Sequence, residues 1–319
     1  MDNLRPVLAL SGGVGGAKLA VGLLHVLPPD TLSIIANTGD DFDHLGLHVS
    51  PDVDTLLYAL SGRDDPVRGW GRLNETWHFM EALEETGEET WFRLGDRDLA
   101  THVVRMLRLS RGETLTQVTA SFAHRFGISA AILPMSDDRV RTRLQTSEGW
   151  MDFQPWFVGC RAEPSILSIH FDGADSARLP IAIGQLVRNA KLRAIVICPS
   201  NPLISIDPIL SVSALRAALI ASNAPVIAVC PLIGGRALKG PTAKMMADLG
   251  IEPGVPAIIA HYGDLIDGII VDEEDAEYAE NRSTPVVKVA PIVMSTLADR
   301  CRVAEAALTL ADEIARVDA

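Results

Sequence analysis

Short apolar runs recur along the chain, and turn-forming residues bound each of them. Their Val- and Ile-rich composition, without polar alternation, is typical of strands that are buried on both faces of a parallel sheet. The predicted strands are residues 7–11, 32–37, 166–171, 194–198, 226–230, 257–260 and 269–271, and the predicted helices are residues 17–26, 203–222, 244–249 and 296–315. This alternation predicts an α/β fold with a Rossmann-like, doubly wound and mainly parallel sheet.

The segment from about residue 60 to residue 130 interrupts this alternation. Helical periodicity dominates it, at residues 74–86, 98–109 and 115–126. Beyond it, residues 139–145 and 150–157 flank a Gly-containing turn and predict a hairpin. We therefore expect a single α/β domain over residues 1–319, with a helical insertion that covers the active-site crevice.

The overall charge limits the partners that the surface can attract. The chain has 319 residues, of which 48% are hydrophobic, and a formal net charge of −13. Such an acidic surface repels nucleic acid and anionic lipid, so we expect no nucleic-acid and no membrane partner. An anionic substrate would need a local pocket that is basic or that holds a metal ion.

The cysteines and the apolar segments bear on the cellular compartment. The four cysteines lie far apart and indicate neither a zinc site nor a disulfide framework. No signal peptide is recognisable, and no stretch reaches the roughly 20 apolar residues that span a bilayer. We expect a cytoplasmic protein.

A glycine-rich loop follows the first predicted strand and leads into a helix. Its sequence is Ser11-Gly12-Gly13-Val14-Gly15-Gly16-Ala17-Lys18. Free backbone amides and the helix dipole make such a loop a phosphate-binding element. It differs from the dinucleotide fingerprint at Lys18 and from the Walker A loop at Leu19. A bound phosphate would explain a cation in the first helical turn; a tight turn without ligand is the alternative.

Five aspartates follow the second predicted strand. They are Asp40, Asp41, Asp43, Asp52 and Asp54. Carboxylates at the end of a parallel strand lie where α/β proteins bind ligands, and Mg²⁺ is commonly held by one or two of them together with substrate phosphates. The cluster therefore predicts a Mg²⁺ site. Alternatively, Asp52 or Asp54 caps the helix that follows.

Three further loops carry polar side chains. Residues 93–102 contain arginines and aspartates close together in a loop that leads into a helix. This pattern fits a ligand-binding loop, with helix capping by Asp98 as the alternative. Ser200 and Asn201 follow a buried strand, where they could hold phosphate or ribose, or cap a helix. Residues 234–244, including Lys244, predict a second anion-contacting loop. Parallel strands would bring these loops to one edge of the sheet, which indicates a phosphate ester handled with a divalent metal.

Six motifs, in this order, closely resemble the 2-phospho-L-lactate transferase family. The resemblance extends from residue 7 to about residue 275, and its motifs are Ser11-Gly12-Gly13-Val14-Gly15-Gly16-Ala17-Lys18, Asn37-Thr38-Gly39-Asp40-Asp41, Ser50-Pro51-Asp52-Val53-Asp54-Thr55, Leu94-Gly95-Asp96-Arg97-Asp98-Leu99-Ala100-Thr101-His102, Leu133-Pro134-Met135-Ser136-Asp137-Asp138 and Pro199-Ser200-Asn201-Pro202.

The resemblance implies a Mg²⁺-dependent reaction in the biosynthesis of coenzyme F420. The donor would be lactyl-2-diphospho-5'-guanosine or enolpyruvoyl-2-diphospho-5'-guanosine, and the acceptor the ribityl hydroxyl of 7,8-didemethyl-8-hydroxy-5-deazariboflavin (Fo). The products would be coenzyme F420-0 or dehydro-F420-0, and GMP. The resemblance also suggests a homodimer.

Residue roles follow from the motifs and the resemblance together. The resemblance implies that Asp54 and Arg93 contact Fo, and we add Asp96 and Met135 to that set. Asp52 and Asp54 are the predicted catalytic residues, and Asp40, Asp52 and Asp54 the predicted Mg²⁺ ligands. The predicted donor-binding residues are Gly12, Gly13, Val14, Gly15, Gly16, Lys18, Asn37, Ser200, Asn201 and Lys244. Trp70, Trp77 and Trp91 could cover the deazaflavin, or serve ordinary packing.

Two other functions stay open on the sequence. Distant relatives of the family are nucleotide-sugar-binding regulators, which share the glycine loop and the Asn-x-x-Asp-Asp stretch. Residues 50–55 and 94–102 favour the Fo-binding enzymes instead. A nicotinamide-dependent dehydrogenase is disfavoured because Lys18 stands where the dinucleotide fingerprint needs glycine.

Overall fold

A central sheet of seven parallel strands organises the molecule. The computed structural model describes residues 4–279 and 284–317. The strands are β1 (Val7–Ser11), β2 (Leu32–Ala36), β3 (Phe42–His44), β4 (Leu47–Val49), β5 (Ala131–Pro134), β6 (Arg141–Thr146), β7 (Gly149–Asp152), β8 (Ile166–Asp172), β9 (Ala194–Ile197), β10 (Val226–Val229), β11 (Leu232–Ile233), β12 (Arg236–Ala237), β13 (Gly268–Val271) and β14 (Val286–Val289). The sheet order is β14-β13-β10-β9-β1-β2-β5, with all pairs parallel.

Eleven α-helices in the described residues connect and cover these strands. They are α1 (Gly13–Val26), α2 (Pro51–Leu60), α3 (His78–Glu85), α4 (Asp96–Leu109), α5 (Leu115–Phe126), α6 (Ile181–Val187), α7 (Asp207–Ser211), α8 (Ser213–Ile220), α9 (Thr242–Asp248), α10 (Val255–Tyr262) and α11 (Leu297–Val317). Helix α1 packs against α2 and α11, and α11 also packs against β9, β10 and β13.

Burial of β1, β9 and β10 on both faces explains the strand predictions. Every residue of these three strands is buried, so their sequences need no polar alternation. The chain adds β2 and β5 on one side of β1 and then β9, β10, β13 and β14 on the other. The strand order thus reverses between β1 and β9, which confirms the doubly wound α/β fold and creates a crevice at that point.

Local signals fix several helix ends. Helix α1 ends where Leu27 turns extended before Pro28, because the residue before proline disfavours the helical conformation. Helix α5 begins with a capping box between Thr114 and Gln117 and ends at Gly127, whose φ is +75°. The helices α3, α4 and α5 confirm the helical character of the interrupting segment.

Two predicted elements are wrong. Residues 257–260 form part of α10 rather than a strand; Gly254 and Pro256 start a helix there, and a four-residue apolar run cannot distinguish the two. Residues 203–222 do not form one helix. They divide into a π-turn at Pro202–Ile206, then α7 and α8, because Pro208 has no amide to continue the preceding turn.

Other strands lie outside the expected arrangement. β8 is a strand as predicted, but it pairs antiparallel with β6 in a separate three-stranded sheet with β7. The predicted hairpin corresponds to β6 and β7. β5, which is absent from the predicted strands, is the edge strand of the central sheet, where Pro134 is tolerated.

In the described part of the chain, no single helix is both long and apolar enough to cross a membrane, although the bent pair of helical segments Pro202–Ser211 and Ala214–Ile220 meets the criteria of length and composition.

A glycine in α1 permits the close contact with α11. A β-carbon on Gly22 would overlap the backbone oxygen of Arg300. Because that obstacle is backbone, we expect Gly22→Ala to lower the free energy of unfolding by about 1–3 kcal/mol through overpacking. Gly159→Ala is the control, since its β-carbon would meet only the Trp91 ring at 3.7 Å. Urea unfolding monitored by circular dichroism measures both; equal effects would contradict the packing argument.

Candidate functional site

The glycine loop lies at the switch point between β1 and β9, packed against two neighbouring segments. A β-carbon on Gly12 would lie 2.6 Å from Cβ of Ser205 and 2.7 Å from Oδ2 of Asp52, and one on Gly15 would lie 2.5 Å from the backbone oxygen of Pro199. Gly13 has a φ of +63°, and its missing β-carbon would meet nothing within 4 Å. Glycine is therefore required at these positions for close packing or for backbone conformation.

Ser200 ties the glycine loop to the loop that follows β9. Its Oγ accepts from the Gly12 amide at 3.1 Å and donates to the Gly12 carbonyl at 2.7 Å. Asn201 caps the π-turn by accepting from the Leu203 amide at 3.0 Å, as the capping alternative predicted. Ser200 and Asn201 therefore both have structural roles while lining the crevice.

Asp52 connects α2 to the glycine loop. Its Oδ1 accepts from the Gly13 amide at 2.7 Å, and its Oδ2 accepts from Nδ2 of Asn37 at 2.9 Å. Burial raises the pKa of Asp52 to about 6. The two hydrogen bonds favour the charged form and therefore oppose this increase. The side chain is thus a buried carboxylate with no cationic partner in the described ion pairs.

Asp40 is the second acidic group on the crevice wall. It is buried, and burial followed by repulsion from Asp52 raises its pKa well above the ordinary value. Its Oδ1 has no hydrogen-bond partner among the described residues. Asp40 and Asp52 both line the crevice, so two buried carboxylates face the same space, and neither forms an ion pair with a cation among the described residues.

The capping alternatives for Asp52, Asp54 and Asp98 are wrong. Helix α2 begins at Pro51 after Ser50, so Asp52 and Asp54 lie within its first turn. Helix α4 begins at Asp96 after Gly95, which places Asp98 in the first turn as well. Each of these carboxylates makes other contacts.

Asp54 points away from the crevice and into a buried ion pair. Both of its oxygens accept from Arg105, one of them from Nη1 at 3.0 Å, and both residues are buried. Asp54 does not line the crevice. Its expected roles as Mg²⁺ ligand, catalytic group and Fo contact stay predictions, and the guanidinium of Arg105 already neutralises its charge in this structure.

The same ion pair belongs to a buried polar network between α2 and α4. Arg105 Nη1 lies 3.1 Å from Nδ1 of His102, and Nε2 of His102 lies 3.3 Å from Asp98. Because arginine can only donate, Nδ1 of His102 accepts and Nε2 carries the proton toward Asp98. Tyr58 donates to Asp98 at 2.6 Å. This network holds α2, and hence Asp52, against α4.

Three members of the network are close enough to hold a metal ion. Ligand atoms of Asp54, Asp98 and His102 all lie within 4.8 Å of one another. Arg105 nevertheless occupies the Asp54 carboxylate, and a cation would have to displace it. The cluster is therefore better explained as a buried structural network in which Arg105 balances the charge of Asp54.

The crevice has a volume of about 710 Å³, within the usual range for a small-molecule site. Aromatic side chains form much of one wall, and Phe153 stacks on Phe157 with ring centroids 5.3 Å apart. The interrupting segment contributes Trp70, Trp91 and Arg93. Such walls suit a planar ring beside the polar loops.

Most of the predicted site residues do line this crevice. They are Gly12, Gly13, Val14, Gly15, Lys18, Asp40, Asp52, Arg93, Ser200 and Asn201. Trp77 lies behind the wall, where it contacts Trp70, and the guanidinium of Arg93 lies 4.4 Å from the centre of its ring.

Asn37 and Gly16 support the site from outside its wall. Asn37 is buried, and its Nδ2 also donates to the Ile204 carbonyl at 3.1 Å. A β-carbon on Gly16 would collide with the hydroxyls of Ser11 and Ser200. These residues support the shape of the glycine loop, and the wall of the crevice does not include them.

Asp96, Met135 and Lys244 lie elsewhere. Asp96 accepts from the amides of His78 and Phe79 at the start of α3, and Met135 is fully buried in the core. Lys244 pairs with Asp248, one helical turn away. The expected ligand contacts of these three residues stay predictions; their polar groups or surfaces are engaged within the protein, and they do not line the crevice.

Sequence reasoning missed Arg105 and several wall residues. A single arginine in an amphipathic helix normally lies at the surface, so nothing marked Arg105 as buried. Lys239 belongs to the predicted anion-contacting loop and does reach the crevice, unlike Lys244. Phe153 and Gln154 lie within the second segment of the predicted hairpin, beyond the end of β7 in the structure, and no polar motif marked them.

The Arg105–Asp54 pair makes a specific prediction about stability. Arg105→Met should lower the free energy of unfolding by about 3 kcal/mol or more, because it leaves the Asp54 charge buried and unpaired. Arg108→Gln is the control, since its pair with Glu113 is partly exposed and should be worth less than about 1 kcal/mol. Asp54→Asn added to Arg105→Met should recover part of the loss. Denaturant unfolding gives all three values; an undiminished loss in the double variant would argue against the charge explanation.

Comparison with known proteins agrees with the fold and the motifs. The family model of 2-phospho-L-lactate transferase CofD matches residues 7–308. A phosphoenolpyruvate transferase of Kitasatospora aureofaciens is 39% identical over 97% of this chain and 98% of its own, and a 2-phospho-L-lactate transferase of Methanosarcina mazei is 39% identical over 84% and 88%.

A solved structure shows the same fold at low sequence identity. It is a UPF0052-family protein from Bacillus halodurans, 16% identical, with a TM-score of 0.64 over 95% of this chain and 99% of that one. The near-complete matches in sequence extend the agreement from fold to family: the chain belongs to the 2-phospho-L-lactate transferase CofD family.

Proposed function

We propose that this chain transfers a 2-phospholactyl or enolpyruvyl-phosphoryl group from a guanosine diphosphate ester to the ribityl hydroxyl of Fo. The reaction would form coenzyme F420-0 or dehydro-F420-0 and release GMP. The family and the names of its relatives support a transferase of F420 biosynthesis. The observation that carries the proposal is the crevice at the β1–β9 switch point, where amides, carboxylates and aromatic rings face one space.

The glycine loop would bind the donor diphosphate. It opens α1, and Ser200 and Asp52 fix its shape by accepting from the amides of Gly12 and Gly13, so the amides that follow in the first helical turn are the ones that would bind the diphosphate. Lys18 adds a positive charge one turn further along. The planar deazaflavin would lie along the wall formed by Trp70, Trp91 and the Phe153–Phe157 stack, with Arg93 beside it.

Asp40 and Asp52 have the properties expected of Mg²⁺ ligands. They are hard oxygen donors, they face the crevice, and Asp40 Oδ1 lacks another partner in the described residues. When bound, Mg²⁺ would neutralise negative charge on the diphosphate oxygens. Asp54 is not included, because Arg105 already balances its charge.

The transfer would be an in-line displacement at phosphorus. The ribityl oxygen forms a bond to the phosphorus that bears the acyl group, its proton is released to water, and the bond from that phosphorus to the bridging oxygen breaks, so that GMP departs. The protein contributes mainly by holding donor and acceptor in line, which is the main requirement in phosphoryl transfer. A homodimer and a cytoplasmic location stay predictions.

The activity is tested by incubating the protein with Fo, Mg²⁺ and each of the two donors in parallel. We expect GMP and phosphorylated deazaflavin, measured by chromatography and mass spectrometry, and the faster donor identifies the acyl group. Asp52→Asn should lower turnover roughly 100-fold through lost charge stabilisation. Asp43→Asn, an exposed carboxylate of the same acidic stretch, is the control.

The outcome that contradicts the proposal is equally clear. If neither donor yields product while a nucleotide sugar binds, the chain is a nucleotide-sugar-binding regulator instead. Full turnover in Asp52→Asn would remove that carboxylate from the reaction and leave the transferase assignment intact.

Metal binding makes a separate prediction with its own pH dependence. Since burial raises the pKa of Asp52 from 3.8 to about 6, the carboxyl group of Asp52 in the metal-free protein binds its proton more tightly in the folded state than in the unfolded state. Its contribution to stability is present below about pH 4 and is lost as pH rises through about 6. Mg²⁺ competes with the proton, so it should raise the melting temperature more at pH 7.5 than at pH 5.

Differential scanning fluorimetry with and without Mg²⁺ at the two pH values measures this effect, and chelation should reverse it. Asp40→Asn and Asp52→Asn should each abolish the Mg²⁺-induced shift, whereas Asp43→Asn should retain it. A shift that persists in both crevice variants would place the metal elsewhere.

A further inference from the structure

A small recess opens beside the crevice, on the far side of Lys18. Its volume is about 130 Å³, and it shares Val14, Lys18 and Lys239 with the larger crevice. Three separate elements bring cations to it: Lys18 comes from α1, Lys239 from the loop after β12, and Arg300 from the first turn of α11. We call these three residues the cationic triad.

The triad lacks the carboxylate partners that neighbouring cations have. Arg302, two residues from Arg300, pairs with Asp299 at 2.7 Å, and Arg236, three residues from Lys239, pairs with Glu274 at 3.0 Å. Within residues 4–279 and 284–317, the triad forms no ion pair with a carboxylate. Arg300 Nε is also buried and has no hydrogen-bond partner there.

The acidic residues on the recess wall do not neutralise the positive charge of the cationic triad. Asp65 is already paired with Arg68 at 3.2 Å and accepts from the Val67 and Arg68 amides. Asp64 is the other carboxylate on the wall. One unpaired carboxylate against three cations leaves positive charge in excess.

This excess is unusual for the chain and costs free energy. The protein carries a net charge of −13, so a convergence of cations is contrary to its overall composition. Burial, then the charges of Lys239 and Arg300, lower the pKa of Lys18, which shows that the triad members repel one another. A bound anion would relieve that repulsion, and a cleft lined by one sign of charge attracts such a ligand.

The ligand chemistry follows from the donors. Arginine and lysine together bind oxyanions through charge-assisted hydrogen bonds, and a volume of 130 Å³ suits a carboxylate or a single phosphate rather than a nucleoside. The glycine loop and the two carboxylates Asp40 and Asp52 line the adjoining crevice, which Lys18 lines as well. The recess is therefore placed to receive a second anionic group of a ligand that already occupies the crevice.

We propose that the cationic triad forms an oxyanion subsite for the donor, taking either the carboxylate of its acyl group or one of its phosphates. The identity of the donor rests on the proposed function; the anion-binding chemistry of the recess does not. In this arrangement Arg300 and Lys239 are binding residues that the family motifs did not include.

The test measures binding by calorimetry without Fo, so that no transfer takes place. The probes are GDP and the complete guanosine diphosphate ester, titrated into wild type, Arg300→Gln and Lys239→Gln. We expect each variant to weaken binding of the complete ester about 10-fold, as for loss of a hydrogen bond to a charged group. Arg302→Gln and Arg236→Gln are the matched controls, since both side chains are engaged with carboxylates, and they should bind as wild type does.

The two probes identify the anionic group. If Arg300→Gln weakens the ester and leaves GDP unchanged, the subsite takes the acyl carboxylate; if it weakens both equally, the subsite takes a phosphate. Arg300→Lys should restore part of the affinity. Because Lys239 lies in an exposed loop, its variant remains informative even if a change in α11 disturbs folding.

Ester and GDP affinities in both triad variants that equal those of the controls would overturn the subsite. A wild-type protein that binds neither probe would overturn it as well. Failure of the proposed function is distinguishable: triad-dependent binding without any transfer to Fo would retain the subsite and reject the transferase.

Discussion

The close contact between the glycine loop and its two neighbours is the constraint on which the rest of the site depends. Ser200 bonds both the amide and the carbonyl of Gly12, and Asp52 accepts from the Gly13 amide. A side chain at Gly12 or Gly15 would force these segments apart. The loop after β9 and the start of α2 thereby fix the N-terminus of α1 at the wall of the crevice, and a helix N-terminus is a favourable place for an anion.

The carboxylates near this loop divide into two kinds by their counter-charges. Asp54 is balanced by Arg105 and belongs to a network that ties α2 to α4. Asp40 and Asp52, also buried, face the crevice without a direct ion-pair partner in the described residues, and burial raises the pKa of both. Asp52 and Asp54 lie two residues apart on the same helical turn, yet Asp54 meets an arginine and Asp52 meets a cavity. Balanced charge stabilises the scaffold, and unbalanced charge is available for a ligand.

Much of this could be predicted from the sequence, for identifiable reasons. Buried parallel strands such as β1, β9 and β10 are continuous apolar runs, and the glycine loop is marked by its composition. The run at residues 257–260 failed because four apolar residues fit either a strand or a helix. Arg105 was not predictable, since its burial comes from a partner 51 residues away. For the same reason, the sequence could not place Asp54 in the ion pair with Arg105. Spacing cannot show which of two nearby aspartates a distant arginine neutralises.

The distribution of charge also explains how an acidic protein can select an anionic donor. The carboxylates of Asp40 and Asp52 line the crevice, whereas Lys18 and Lys239 line both the crevice and the adjoining recess, which also contains Arg300. A ligand that carried only negative charge would be repelled by the first group unless a divalent cation accompanied it. A cation alone would gain nothing from the second. In the proposed transfer, a ligand that combines a metal-bound diphosphate with a further oxyanion would satisfy both groups of charges, so the site would favour that combination rather than charge as such.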